Sequence, residues 1–441
     1  MPEAASAAAP RERETLSRIT WRILPLLFLC YVIAYVDRIN VGFAKLQLRD
    51  VFGVSESAFS SLYGLGAGLF FLGYFIFEVP SNLILQRVGA RIWIARIMIV
   101  WGVISASMMF MKSASVFYVM RFLLGVAEAG YFPGIILYLT YWYPARERGR
   151  IVALFATGGV IAGIIGSPVS GALLKLGGFL GLAGWQWLFL LEGIPAVLLG
   201  VAVLFLLPDG PGRVRWLSEG EKAWLKGQLD EDLARSGSAQ KHRLADAFSS
   251  GRVWLLCLLY FLLNVGGYGY EMWLPSIIKG FSGQGEFVVG LINAIPYLVS
   301  AFAMVFWGRH SDRTGERRWH VAGAAMASAA GFGLSAYFRN PIFAMAGLVL
   351  AFVGIKCMLG PFWALGTGFL SGTAAAGGIA FINSTGNLGG FVGPYAVGLI
   401  KSATGGSNVI ALLFLGGALL LLGFLAFAIR TGTPPQGPTK A

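Results

Sequence analysis

Four charged residues sit where the sequence offers them no water. Asp37 and Arg38 are neighbours in Tyr35-Val36-Asp37-Arg38-Ile39-Asn40, near the end of the first apolar run. Arg121 and Glu128 follow in the fourth run, seven residues apart. That spacing is about two helical turns, or roughly 10 Å along one helix face. A charge in hydrocarbon costs roughly 3 kcal/mol on insertion scales and more in simulations, so such residues usually face a wet interior path. A guanidinium is permanently charged and holds a carboxylate through two hydrogen bonds, whereas a carboxyl can take up and release a proton. A desolvated carboxyl beside an arginine is poised to protonate when an anion occupies that arginine. Two acids and two bases sum to zero, and together they imply the proton and anion machinery of a membrane carrier. The competing expectation is a static ion network that only ties helices together. Helix direction puts Asp37, Arg38 and Arg121 at one depth and Glu128 nearer the centre.

Two more charges fall inside apolar runs, Glu271 and Lys356. Lys356 could receive a second carboxylate, which favours a dicarboxylate or acidic aromatic substrate, and Glu271 could hold a hydroxyl or a second proton. Counting residues at 1.5 Å each puts them about 12 Å apart in depth, which argues against direct pairing.

The elements that must position these groups follow from composition. The chain has 441 residues, 56% hydrophobic and 12% charged, with a mean hydropathy of +0.70. No soluble domain of this length needs so much apolar surface, whereas about 20 apolar residues span a bilayer. Apolar runs fall near 21–43, 57–85, 91–111, 114–141, 149–174, 186–207, 252–279, 285–309, 317–338, 341–366, 374–402 and 407–430. The expected fold is an all-α integral membrane protein with twelve transmembrane helices in two pseudo-symmetric six-helix bundles, 21–207 and 252–430. Residues 1–20 and 431–441 read as cytoplasmic tails, and 208–251 as a cytoplasmic linker with a short surface helix.

A cytoplasmic amino terminus places 24 of the 34 Lys and Arg residues inside and three within the membrane. Only Lys45, Arg49, Lys112, Lys175, Lys279, Arg339 and Lys401 fall outside. That bias puts both termini in the cytoplasm.

The halves also repeat. Arg87-x-Gly89-x-Arg91-x-Trp93 returns 226 residues later as Arg313-x-Gly315-x-Arg317-x-Trp319. At the same offset Phe155, Gly163 and Pro168 return as Phe381, Gly389 and Pro394. One offset shared by two motifs argues for a duplicated unit with its binding site between the halves. Arg87, Arg91, Asp312 and Arg313 are expected at a cytoplasmic gate, where Asp and Arg can latch the halves. The alternative is a basic loop that serves topology alone.

Other chemistries find no support. Cys30, Cys257 and Cys357 all lie in apolar runs and make no disulfide framework. His242, His310 and His320 fall in linker or turn regions. Metalloprotease, nucleotide-phosphate and nucleophile-elbow motifs are missing, so no enzyme and no resident cofactor is expected.

The sequence resembles the major facilitator superfamily, in particular its anion:cation symporter branch of bacterial permeases for sugar acids, tartrate, phthalate and aromatic acids. The resemblance rests on Tyr35 to Asn40, Pro80-Ser81-Asn82-Leu83, Arg121-Phe122-x-x-Gly125-x-x-Glu128-Ala129, and Gly386-Asn387-Leu388-Gly389-Gly390-Phe391-x-Gly393-Pro394. It implies proton coupling through Asp37 and Glu128, with Arg38 meeting the substrate carboxylate and Arg121 partnering the acids. It also implies a lining of Trp363, Asn383 and Tyr74; the four-residue spacing of Asn387 adds a second amide on the face of Asn383. Glu78 and Glu192 match family positions and read as structural hydrogen-bonding groups. Gly159 stands where a sugar-acid carrier is expected to have a polar side chain, which weakens transfer of that specificity.

The expectation is therefore a proton-coupled importer of an organic carboxylate in a bacterial inner membrane. It would work by alternating access as a monomer, with the proton as coupling ion and no nucleic-acid partner. The rivals are an exchanger or uniporter without proton coupling, and a non-transporting membrane receptor.

Overall fold

Backbone polar groups in lipid must be satisfied within the chain, and helices do this locally. The computed structural model describes residues 2–238, 250–367 and 372–429, and among them there are helices and turns but no strand. His242, part of the linker and the 431–441 tail lie outside the described residues.

The first span joins α1 (Pro2–Ile39) to α2 (Val41–Phe52) across Asn40. Next come α3 (Glu56–Val88) and α4 (Ala90–Ser107). The fourth span is broken into α5 (Ala114–Glu128) and α6 (Tyr131–Thr140), and the fifth into α7 (Ala145–Ala156) and α8 (Gly158–Leu173). Helix α9 (Gly184–Leu206) closes the first half, and α10 (Glu219–Ser238) lies in the linker. The second half contains α11 (Gly251–Ser282), α12 (Glu286–Thr314), α13 (Arg318–Tyr337), α14 (Pro341–Thr367), α15 (Gly372–Ala403) and α16 (Asn408–Ala426).

Among the described residues ten spans are long and apolar enough to cross a membrane. The remaining two of the twelve, α13 and α15, are diluted by Gly, Ala, Ser and Asn. Small residues bring backbones together: a Cβ on Gly331 would stand 2.4 Å from Ala351 N on α14.

The supposed amino-terminal tail is not separate from the first span. Helix α1 runs through it, and its Thr15 hydroxyl donates to Glu221 Oε1 on α10 at 3.0 Å while Arg18 pairs with the same carboxylate at 3.2 Å. Polarity ended the apolar run but not the helix, since Ala, Arg and Glu are good helix formers.

The halves meet through α3 against α15 and α12 against α8. These contacts obey the repeat. Gly64 and Gly290 are 226 residues apart, as are Pro168 and Pro394. A Cβ on Gly64 would stand 2.7 Å from Pro394 O, and one on Gly290 would stand 2.4 Å from Ser167 O and 3.2 Å from Pro168 Cα. Only glycine permits that approach, so the face opposite the termini is closed by backbone packed on backbone.

Candidate functional site

The fourth span breaks where its acid sits. Glu128 is the last residue of α5, Ala129 leaves helical geometry, and Gly130 takes φ +83° before α6 begins. A Cβ on Gly130 would stand 2.5 Å from Ser81 Oγ, so both the positive φ and the close approach require glycine. Broken helices at membrane depth occur where the chain is buried in protein or lines a cavity.

Arg38 reaches this break from α1 and pairs with Glu128 Oε1. Its other terminal nitrogen donates to Tyr268 Oη at 3.2 Å. The guanidinium lies against three rings, 5.8 Å from Tyr35, 5.5 Å from Phe70 and 5.7 Å from Tyr74. Glu128 is fully buried, yet among the described residues its Oε2 has no hydrogen-bond partner, and neither has Arg38 Nε. The pair is close but incompletely satisfied.

Arg38 opens onto a cavity of about 80 Å³ lined also by Tyr74, Asn383 and Asn387. Tyr31, Phe70, Phe71, Phe132, Tyr260 and Tyr268 complete the wall. Helices α1, α3 and α6 supply one side, and α11 and α15 the other, so the cavity lies between the halves. One cation, two amides and a cage of aromatic rings can hold a carboxylate at one end and hydroxyls or a second polar group at the other. Asn383 is oriented by donating to Glu78 Oε1 at 2.7 Å, and Ser384 donates to Oε2 at 2.9 Å. Glu78 thus ties α3 to α15. Glu192 accepts from Ser170 at 2.7 Å within the first half.

Asp37 lies away from the cavity. It accepts from Trp101 Nε1 and Ser105 Oγ on α4, and from Asn40 Nδ2 at 3.1 Å. Arg121 does not partner the acids directly. Its guanidinium reaches the carbonyls of Gly66 and Ala67, both at 3.4 Å, and lies 5.0 Å from the Phe70 ring. The two-turn spacing explains this: Arg121 is too far along α5 to meet Glu128, and Arg38 arrives from another helix. The expected depth separation of Arg38 and Glu128 is spanned by the long arginine side chain.

Glu271 and Lys356 do meet, contrary to the depth argument. Lys356 Nζ is 2.8 Å from Glu271 Oε1, and Tyr35 Oη lies 2.9 Å from both oxygens of Glu271 and 3.2 Å from Lys356 Nζ. The depth count assumed that both helices begin at the membrane faces. With 32 residues in α11 and 27 in α14, both exceed a span of about 20 and overhang by unequal lengths. Neither residue lines the cavity. Trp363 stacks edge-on against Tyr260, 5.0 Å away, behind the cavity wall.

None of the expected gate residues pairs across the two halves among the described residues. Arg91 meets Asp209 at 3.2 Å, and Asp312 meets Arg317 at 2.7 Å rather than Arg313. Among the described residues Arg87 and Arg313 are exposed and form no ion pair.

The sequence reading named Tyr74 but missed the other aromatic residues of the wall and the tyrosine that joins the halves. Tyr268 and Glu271, three apart on α11, share a helix side, and that spacing was the available signal. Trp101 and Ser105, four apart, mark the face of α4 that holds Asp37 in the same way.

A family model described as "Major Facilitator Superfamily" matches residues 27–394. The chain is 49% identical to "Putative tartrate transporter" of Agrobacterium vitis over 97% of this chain and 94% of the other. It is 45% identical to "Putative metabolite transport protein NicT" of Pseudomonas putida, covering 94% of each chain. The solved structure of a D-xylose-proton symporter superposes with a TM-score of 0.74 at 18% identity, covering 92% of this chain and 97% of that one.

Proposed function

Because the chain belongs to the major facilitator superfamily, and is therefore a multi-pass membrane transporter and not an enzyme, we propose that it carries a small hydroxylated organic acid together with a proton. The observation that carries this reading is the incompletely satisfied Arg38–Glu128 pair at the wall of the cavity between the halves.

A substrate carboxylate competes with Glu128 for Arg38. Two hydrogen bonds from the planar guanidinium replace the single one now made to Glu128. Released from its cation in a dry site, the Glu128 carboxylate is unstable as an anion and takes up a proton. Neutral Glu128 and a neutralised Arg38 let the halves rock without moving net charge through hydrocarbon. Asp37, held by three donors, is the second proton-coupling carboxyl in this scheme and Arg121 a fixed counter-charge. Asn383 and Asn387 receive the hydroxyls or second carboxylate of a substrate such as tartrate, which the similar Agrobacterium protein is named for. Lys356 is engaged by Glu271, so a second carboxylate falls to the amides.

The Lys and Arg bias supports cytoplasmic termini, and the similar bacterial transporters support a bacterial inner membrane. The glycine-packed face is then the outer one, and the molecule is closed to the outside. Proteoliposomes test the reading. Glu128→Gln should abolish uphill tartrate uptake driven by a proton gradient and keep tartrate-for-tartrate exchange, since exchange needs no net deprotonation. Equal loss of both would sink the coupling role, and uptake by the parent that survives collapse of the proton gradient would make it a uniporter or exchanger.

A further inference from the structure

Lys45 and Lys401 read in the sequence as loop charges on the outer side, but the structure buries both, with exposures of 6% and 7%. Lys45 comes from α2 in the first half and Lys401 from α15 in the second. They converge on one ring, Trp273 of α11, at 4.5 Å and 5.4 Å from its centroid. Lys45 Nζ donates to Ser276 Oγ at 3.1 Å and Lys401 Nζ to Asn408 Oδ1. Among the described residues no carboxylate lies within ion-pair distance of either lysine. The neighbouring acid Glu56 is taken by Arg49 at 3.2 Å.

Two lysine amines are thus held in the closed outer seam without a carboxylate partner among the described residues, on opposite sides of the contact that must part. Cation–π contact offsets only part of the desolvation of each charge. Separation of α3 from α15 and of α12 from α8 would wet Lys45 and Lys401 together and present two cations beside an aromatic face. We propose that Lys45, Lys401 and Trp273 form an outer docking site for organic carboxylates, which captures the anion when the outer face opens and precedes its transfer to Arg38. This rests on the carboxylate-carrier reading and adds to it a second anion site.

Membrane-impermeant thiosulfonate reagents, one anionic and one cationic, test the site without relying on transport. In Lys45→Cys on a background free of native cysteines, external labelling should favour the anionic reagent about tenfold over the ratio seen on a free thiol, through Lys401. Adding Lys401→Gln should return the ratio to the free-thiol value. Tartrate should slow labelling of the single variant more than chloride does; equal protection by both would make it an inorganic-anion site and overturn the docking role. A free-thiol ratio in both variants, or no labelling at all, would also overturn the proposal. Tartrate uptake by the parent, measured beside Arg38→Lys, reports separately on the carrier reading.

Discussion

Two buried ion pairs lie between or beside the halves, and they are built differently. Arg38–Glu128 joins α1 to the broken end of α5, keeps unsatisfied polar atoms and opens onto the cavity through Arg38. Lys356–Glu271 joins α14 to α11, has both carboxylate oxygens engaged by Tyr35, and lines no cavity. Both sit in a low-dielectric interior where separating the charges is expensive. Completeness separates their roles: a saturated pair resists exchange of partners, whereas one with spare lone pairs and an open side can trade its carboxylate for another. Tyr35 also makes the second pair a tie between the halves, since it belongs to α1 and its two partners do not.

The largest effect expected from this contrast is at Arg38. Arg38→Lys should weaken tartrate binding by roughly 100-fold, because an ammonium point charge loses one charge-assisted hydrogen bond and the planar fit. Calorimetric titration of the purified protein measures it, and an unchanged affinity would remove Arg38 from the site. The second pair should fail through stability instead. Lys356→Met alone leaves Glu271 buried without its cation and should cost about 3–5 kcal/mol, seen as a lowered Tm. Lys356→Met with Glu271→Gln should recover most of that loss while tartrate affinity stays within a few-fold of the parent. If the double variant instead loses tartrate binding selectively, the two pairs are one site and the contrast breaks.

A smaller effect is expected where the halves touch. Gly64→Ala and Gly290→Ala each place a methyl against backbone of the other half, with an overpacking cost of about 1–3 kcal/mol. Both should shift the population toward an open outer face, measurable as longer spin-label distances across that face. The repeat predicts matched effects, and a response in only one variant would show that the seams are unequal.

The membrane spans were legible because twelve apolar runs separated by polar turns leave few alternatives, and the offset of 226 named Pro168 and Pro394, which lie at the two seams, but not Gly64 and Gly290, which pack on them. Charges inside those runs identified Arg38, Glu128, Glu271 and Lys356 for the same reason. Who pairs with whom was not legible. Arg121 and Glu128 share a helix face but stand two turns apart, and Glu271 and Lys356 were separated on paper by an assumed origin that helix overhang invalidates. Apart from Tyr74, the aromatic wall was hidden for a different reason: among 33 Phe and 15 Tyr residues, composition cannot tell cavity from packing. The burial of Lys45 and Lys401 was likewise invisible, because a lysine near a span end normally reaches water.

A third ion pair, in water, sets the lower limit for the contrast. Glu221 on α10 accepts from Ser218 N at 2.8 Å, from Ser218 Oγ at 3.0 Å and from Thr15, and pairs with Arg18 of α1. The backbone N–H of Ser218, followed by its hydroxyl, Thr15 and Arg18, holds this carboxyl below the usual glutamate range against the opposing effect of burial. The folded form therefore binds its proton less readily than the unfolded chain. Its contribution is fully present above the unfolded value of roughly 4.3 and is lost as pH falls through the lower folded value. Exposed pairs are worth about 0–1 kcal/mol, so Glu221→Gln should lower Tm only slightly at pH 7 and should flatten its decline under acid. A Glu221→Gln loss as large as that of Lys356→Met would mean that the α1–α10 contact, and not the buried pairs, governs the stability of the first half.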